Sequence, residues 1–172
     1  MKKRALNMPK EACAELLNKL LADLVVLYVK LYNYHWNVKG PTFNELHALF
    51  ASQYDELIGF IDTVAERIRA LDGVAVGTLK EFLSLTSLQE GNSAQSWLEM
   101  VSEIANDFET LSNTMGELFR ALTNYGDNGS ADLMLTMQAF ADKARWMLKA
   151  HLENGTVPTL NILDASSFMR GL

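Results

Sequence analysis

The chain has 172 residues, a formal net charge of −6, 49% hydrophobic residues and one cysteine. That length suits one domain with a substantial core, and the acidic balance excludes a protein whose whole surface grips nucleic acid while suiting one that collects cations. The lone Cys13 excludes an internal disulfide and a thiolate cluster, and reads as a small buried apolar residue.

The opening residues carry Lys2, Lys3 and Arg4 but no apolar signal stretch, so a basic tail over 1–8 and a cytoplasmic location are expected. A first helix runs from about Pro9, a good first-turn residue, to about Asn37. Its apolar stripe is Leu17, Leu20, Leu21, Leu24, Leu27, Tyr28 and Leu31. Asp23 and Lys30 interrupt the run LLADLVVLYVKLYNY, which therefore falls short of the roughly 20 apolar residues of a membrane span. Lys39-Gly40-Pro41 stops this helix. Thr42 and Glu45 then read as a capping box opening a second helix, which Asp72-Gly73 ends near Leu71. The long link that follows has room for a short helix over Leu79–Leu85. A third long helix starts near Ser93 and ends before Tyr125-Gly126, and a fourth runs from 128–130 to about Glu153. Residues 154–172 read as an irregular or partly docked tail.

Four long helices with short links on either side and one long link in the middle describe an all-α, ferritin-like four-helix bundle, expected as one domain over 1–172. The long connection returns the chain along the bundle.

Within this frame the histidines and carboxylates are oddly spaced. Asp62 and Glu66 are an i,i+4 pair whose side chains share one helix face. His47 lies on the same helix but about 22 Å away at 1.5 Å per residue. In an antiparallel hairpin turning near Lys39-Gly40, opposed residues have numbers totalling about 79–80, given equal rise on both helices. That puts His35 near His47 at one end and the two carboxylates several turns away. Pairing two hairpins about a two-fold axis brings the histidines of one chain to the carboxylates of the other, giving two sites per dimer. Two imidazoles and two carboxylates suit Fe(II), with open positions for an oxidant. Taken singly, the same residues have plainer readings. His35 continues a core stripe, and Asp62 with Glu66 is a solvated face or a partner for Arg67 and Arg69.

HWNVKGPTFNELH (35–47), DTVAERIRALDG (62–73), GTLKEFL (77–83) and DKARWMLKAHLE (142–153) resemble the Dps family, the mini-ferritins that protect DNA during starvation. The resemblance implies an inter-subunit ferroxidase centre with His35 and His47 from one subunit and Asp62 and Glu66 from its two-fold partner. It implies that Trp36 lies beside the centre and intercepts one-electron oxidising equivalents. It also implies a hollow homododecamer that oxidises Fe(II) with hydrogen peroxide and stores a ferric mineral. The family usually carries an acidic residue one turn after the second histidine. Here that position is Ala51, which weakens the second metal position, with Asp55 a partial substitute.

Acidic residues near the start of the last helix line three-fold channels in the resembling family. Asp127 and Asp132 fall there, with Asp142 farther along, and their plainer reading is support for a helix N-terminus. His151, near the end of that helix, reads as a capping or surface residue. The basic tail gives DNA, and the bacterial nucleoid, as a weak, salt-sensitive partner that an acidic cage would oppose. The alternative from another class is a structural, DNA-compacting protein whose iron site is vestigial.

Overall fold

The computed structural model describes residues 10–153, and the expectations for the basic tail and the C-terminal tail lie outside them. Five helices make up the architecture: α1 (Lys10–Asn37), α2 (Phe43–Ala70), the short α3 (Leu79–Leu85), α4 (Trp97–Tyr125) and α5 (Asn128–Glu153). Helices α1 and α2 form one hairpin and α4 and α5 another. The crossover between them lays α3 against α1. The apolar stripes of the four long helices meet in one core that includes Leu17, Leu24, Leu31, Phe50, Val64, Phe108, Met115 and Met137. No helix among the described residues is long and apolar enough to cross a membrane.

The two charges that interrupt the α1 stripe are themselves buried. Lys30 is 1% exposed, and its ammonium reaches Glu103 and Asp107 of α4, each at 2.7 Å. The Tyr34 hydroxyl lies 2.6 Å from Glu103 and within reach of the Gln95 Oε1, sharing its one hydrogen between them, and the Gln95 amide nitrogen donates to the same carboxylate. Asp23 accepts from the Thr86 hydroxyl and from the amide and hydroxyl of Ser87, pinning the end of α3 onto α1. A buried charge is tolerated when it is paired or hydrogen-bonded, as Lys30 is by two carboxylates and Asp23 by three donors.

Three local readings change. Thr42 does precede α2, but at φ −106°, ψ 28° its backbone is not extended, its side chain makes no cap, and its Oγ1 is buried without a partner. The capping boxes instead open α3, with Thr78 and Glu81, and α4, with Ser96 and Glu99. Helix α4 accordingly begins at Trp97 rather than near Ser93. The Asn92 side chain and carbonyl hold Ala94 and Gln95 in a turn ahead of it. The left-handed residue ending α2 is Asp72 (φ 65°), while Gly73 serves close packing, since a Cβ there would sit 2.5 Å from Ala14.

The hairpin register also shifts. Lys10 pairs with Asp72, Tyr28 meets Tyr54, and His35 meets His47, so opposed residue numbers total 82. The link is therefore centred near Pro41, later than Lys39-Gly40. Gly40 makes this turn feasible: its φ is +133°, and a Cβ would lie 2.7 Å from the Trp97 indole.

Candidate metal centre

The hairpin register puts His35, in the last turn of α1, against His47, in the second turn of α2. Their rings stack with centroids 3.6 Å apart and planes 20° from parallel. Each imidazole makes a crossed hydrogen bond to the other's backbone. His35 Nδ1 lies 2.8 Å from the His47 carbonyl, and His47 Nδ1 lies 2.8 Å from the His35 carbonyl. A carbonyl can only accept, so each Nδ1 carries a hydrogen, and in the neutral imidazole Nε2 is then the nitrogen that holds the lone pair. The His35 carbonyl is one of the orphans at the end of α1, so the His47 ring also caps that helix. Both histidines are half-buried. The arrangement is that of a metal-ligating histidine whose second nitrogen is already fixed by the protein.

Asp62 and Glu66 are exposed on α2, and neither has a hydrogen bond or ion pair among the described residues. Arg67 turns instead to Asp127 and Ser130, and Arg69 to the Gly73 carbonyl. No three His, Cys, Asp or Glu side chains within the described part of one chain stand close enough to hold a metal ion. The imidazoles and the carboxylates therefore occupy separate stations along α2. Within one chain the two pairs do not meet.

A row of aromatic rings extends from the histidine pair. Tyr54 meets His35 edge-on at 5.3 Å and stacks on Tyr32 at 4.0 Å. Tyr32 contacts Tyr28 at 5.0 Å and Trp36 at 5.3 Å. Phe43 covers the other side of His47 at 5.1 Å. A hydrogen bond to Tyr32, with burial, pushes the Tyr28 hydroxyl up to about 12, and burial also raises Tyr54. These phenols are protonated at neutral pH. Trp36 is 69% exposed and meets Tyr32 rather than either imidazole, so it stands farther from the pair than its place beside His35 in the sequence suggests. Sequence reasoning passed over Tyr54 and Tyr32. The signal was the spacing: Tyr28, Tyr32 and His35 follow i, i+4, i+7 on α1, as do His47, Ala51 and Tyr54 on α2.

The acidic residues at the start of α5 separate. Asp127 is committed within the chain: its Oδ1 accepts from the Ser130 amide at 3.1 Å and pairs with the Arg67 guanidinium. Burial alone would raise its carboxyl, but the hydrogen bonds from Ser130 and the Arg67 charge hold it below the ordinary carboxylate value. This is the helix-capping reading of Asp127. Asp132 is exposed, and Asp142 accepts from the Ser112 hydroxyl at 2.6 Å. His151 lies half-buried in the last turn of α5.

Residues 14–156 match the ferritin-like domain. The chain is 40% identical to the DNA protection during starvation protein of Brevibacillus brevis over 84% of its own length and 97% of the relative's. It is also 40% identical to DNA protection during starvation protein 2 of Bacillus anthracis over 80% and 94%. Among solved structures, a Dps protein from Bacillus brevis aligns with a TM-score of 0.81 at 40% identity, covering 83% of this chain and 96% of that one. Dps from Vibrio cholerae, described as a ferritin-like diiron-carboxylate protein, aligns with a TM-score of 0.80 at 28% identity over 88% and 99%. The all-helical bundle, the family match and these relatives agree: the chain is a ferritin-like protein of the Dps family.

Proposed function

We propose that the protein is a ferroxidase and iron store whose centre is shared between two chains. His35 and His47 of one chain hold Fe(II) through their Nε2 atoms, and Asp62 and Glu66 of the two-fold partner supply the oxygen ligands. Each dimer then carries two equivalent centres. The observation that carries this reading is the crossed hydrogen bonding of His35 and His47, which fixes both rings and leaves both Nε2 lone pairs free. A pair that was merely packed would gain nothing from presenting two unprotonated nitrogens side by side. Imidazole with carboxylate is a donor set suited to Fe(II), and two carboxylates neutralise its charge. Asp62 and Glu66 are exposed and unpartnered among the described residues, as a ligand set awaiting a second chain requires.

Hydrogen peroxide is the oxidant in this reading, and the ferric product is stored inside a homododecameric cage built from the two-fold dimers. Consuming Fe(II) and peroxide together limits hydroxyl-radical formation and so protects the cell. Asp132, exposed near the start of α5, is the better candidate for a carboxylate that draws Fe(II) through a pore, because Asp127 is neutralised by Arg67. Any DNA contact is secondary.

The test is anaerobic loading with Fe(II) followed by hydrogen peroxide, with ferric formation and hydroxyl radical followed together. Rapid ferric formation with little radical is the expected result. Slow oxidation with undiminished radical would leave only a structural protein with a vestigial site.

A further inference from the structure

Helices α2 and α5 do not close on each other along their whole seam. The rings of Phe60 and Phe140 pack 5.3 Å apart, and beside Phe140 a crevice of about 400 Å³ opens between the helices. That size falls within the roughly 300–1,000 Å³ of small-molecule sites. Its α5 wall is apolar apart from Lys143 and includes Phe140, Ala144 and Met147, while α2 contributes Gln53 and Glu56. Gln53 is 3% exposed, yet neither Oε1 nor Nε2 of its carboxamide has a hydrogen-bond partner. Glu56 and Lys143 are exposed on the two walls, and neither has an ion pair or hydrogen bond among the described residues. The fold gains nothing from this arrangement. A leucine at position 53 would fill the same core space without the penalty of an unpaired buried amide.

We infer that the crevice binds a small zwitterion with an apolar side chain, an α-amino acid being the simplest. Its ammonium meets Glu56 on one wall and its carboxylate meets Lys143 on the other. Its side chain lies against Phe140, Ala144 and Met147, as the apolar lining requires. The Gln53 carboxamide offers both an acceptor and donors. Turned onto the guest, its Oε1 accepts from the ammonium and its Nε2 donates to the carboxylate, so the buried amide gains the two partners it lacks. The charges select against the alternatives. An ion of one sign would leave one rim charge unmatched, and a wholly apolar guest would leave the carboxamide unpaired. None of His35, His47, Asp62 and Glu66 lines the crevice, so this site stands or falls apart from the iron reading.

The experiment titrates the whole, metal-free protein by calorimetry with L-leucine, L-methionine and L-phenylalanine in turn. The probe that binds is then compared with its two truncated forms; for leucine these are 4-methylpentanoate, which lacks the ammonium, and 3-methylbutylamine, which lacks the carboxylate. Saturable binding of one amino acid per chain is expected, with each truncation weakening it about tenfold or more, the effect of one charge-assisted hydrogen bond. Glu56→Gln and Lys143→Met should each weaken it to the same degree, and both positions are exposed, so these chains should fold as the native one does. Glu56→Lys with Lys143→Glu, which turns the pair of charges around, should bind more tightly than either reversal alone. Gln53→Leu should abolish binding. No saturable binding of any of the three amino acids overturns the inference. So does equal binding of an amino acid and its truncated forms, or binding that Glu56→Gln and Lys143→Met leave unchanged.

Discussion

Lys30 and His35 lie on neighbouring turns of α1, and the chain treats their polar atoms in opposite ways. Around Lys30 the account is closed: ammonium, two carboxylates, a phenol and an amide satisfy one another within one chain. Around His35 it is left open, with one ring nitrogen of each histidine bonded to backbone and the other bare. The first region stabilises the fold, and in the function proposed above the second receives a metal. The carboxylates tell the same story. Glu103 and Asp107 meet a cation, whereas Asp62 and Glu66 meet none among the described residues.

The largest effect is expected from breaking the closed region. Lys30→Met leaves buried Asp107 and half-buried Glu103 without a cation, and loss of one partner of a buried pair costs about 3–5 kcal/mol. Denaturant unfolding of the variant measures it, and adding Asp107→Asn should recover part of the loss.

Breaking the open region should do the reverse. Asp62→Ala should leave thermal stability unchanged, since that side chain is exposed and unpaired. It should lower iron oxidation by roughly 10–100-fold, the range for disturbing groups that hold a metal. His47→Ala should match that functional loss and also destabilise the chain by about 1 kcal/mol, because its Nδ1–H caps the end of α1. Initial rates of ferric formation alongside melting temperatures separate the two signatures.

Smallest is the effect at Asp127, a closed site that resembles an open one in sequence. Asp127→Ala should cost about 1 kcal/mol, the usual loss for a helix cap, and leave iron uptake unchanged. Its carboxyl is held below the ordinary value in the folded chain, so its contribution is present above pH 3.8 and is lost as pH falls through the depressed value. Acid titration of stability should show that loss in the native chain, and Asp127→Asn should lack it.

Much of this contrast was legible in the sequence, because helix spacing is a one-dimensional rule. The i,i+4 relation of Asp62 and Glu66 and their distance from His47 follow from rise per residue alone. Proline, glycine and the apolar stripes marked the bundle, including α3 at Leu79–Leu85. What spacing could not give was the turn. Thr42 looked like a cap, but its backbone conformation keeps it out of that role, and the hairpin is centred later than Lys39-Gly40. The crossed bonds between His35 and His47 depend on that register and on backbone carbonyls, which no sequence pattern displays. Lys30 was equally opaque. A charge within an apolar run reads as an interruption until its partners on α4 are known.

The central claim is that the open region is closed by a second chain, and one measurement addresses it directly. His47→Ala chains and Asp62→Ala chains are dissociated, mixed in equal amounts and reassembled, and ferric formation is compared with that of each variant alone. In a mixed dimer one centre has both defects and the other has none, so random pairing should restore about a quarter of the native centres. Recovery near that level, well above what either variant shows alone, is the predicted result. A mixture no more active than its components would contradict the shared centre.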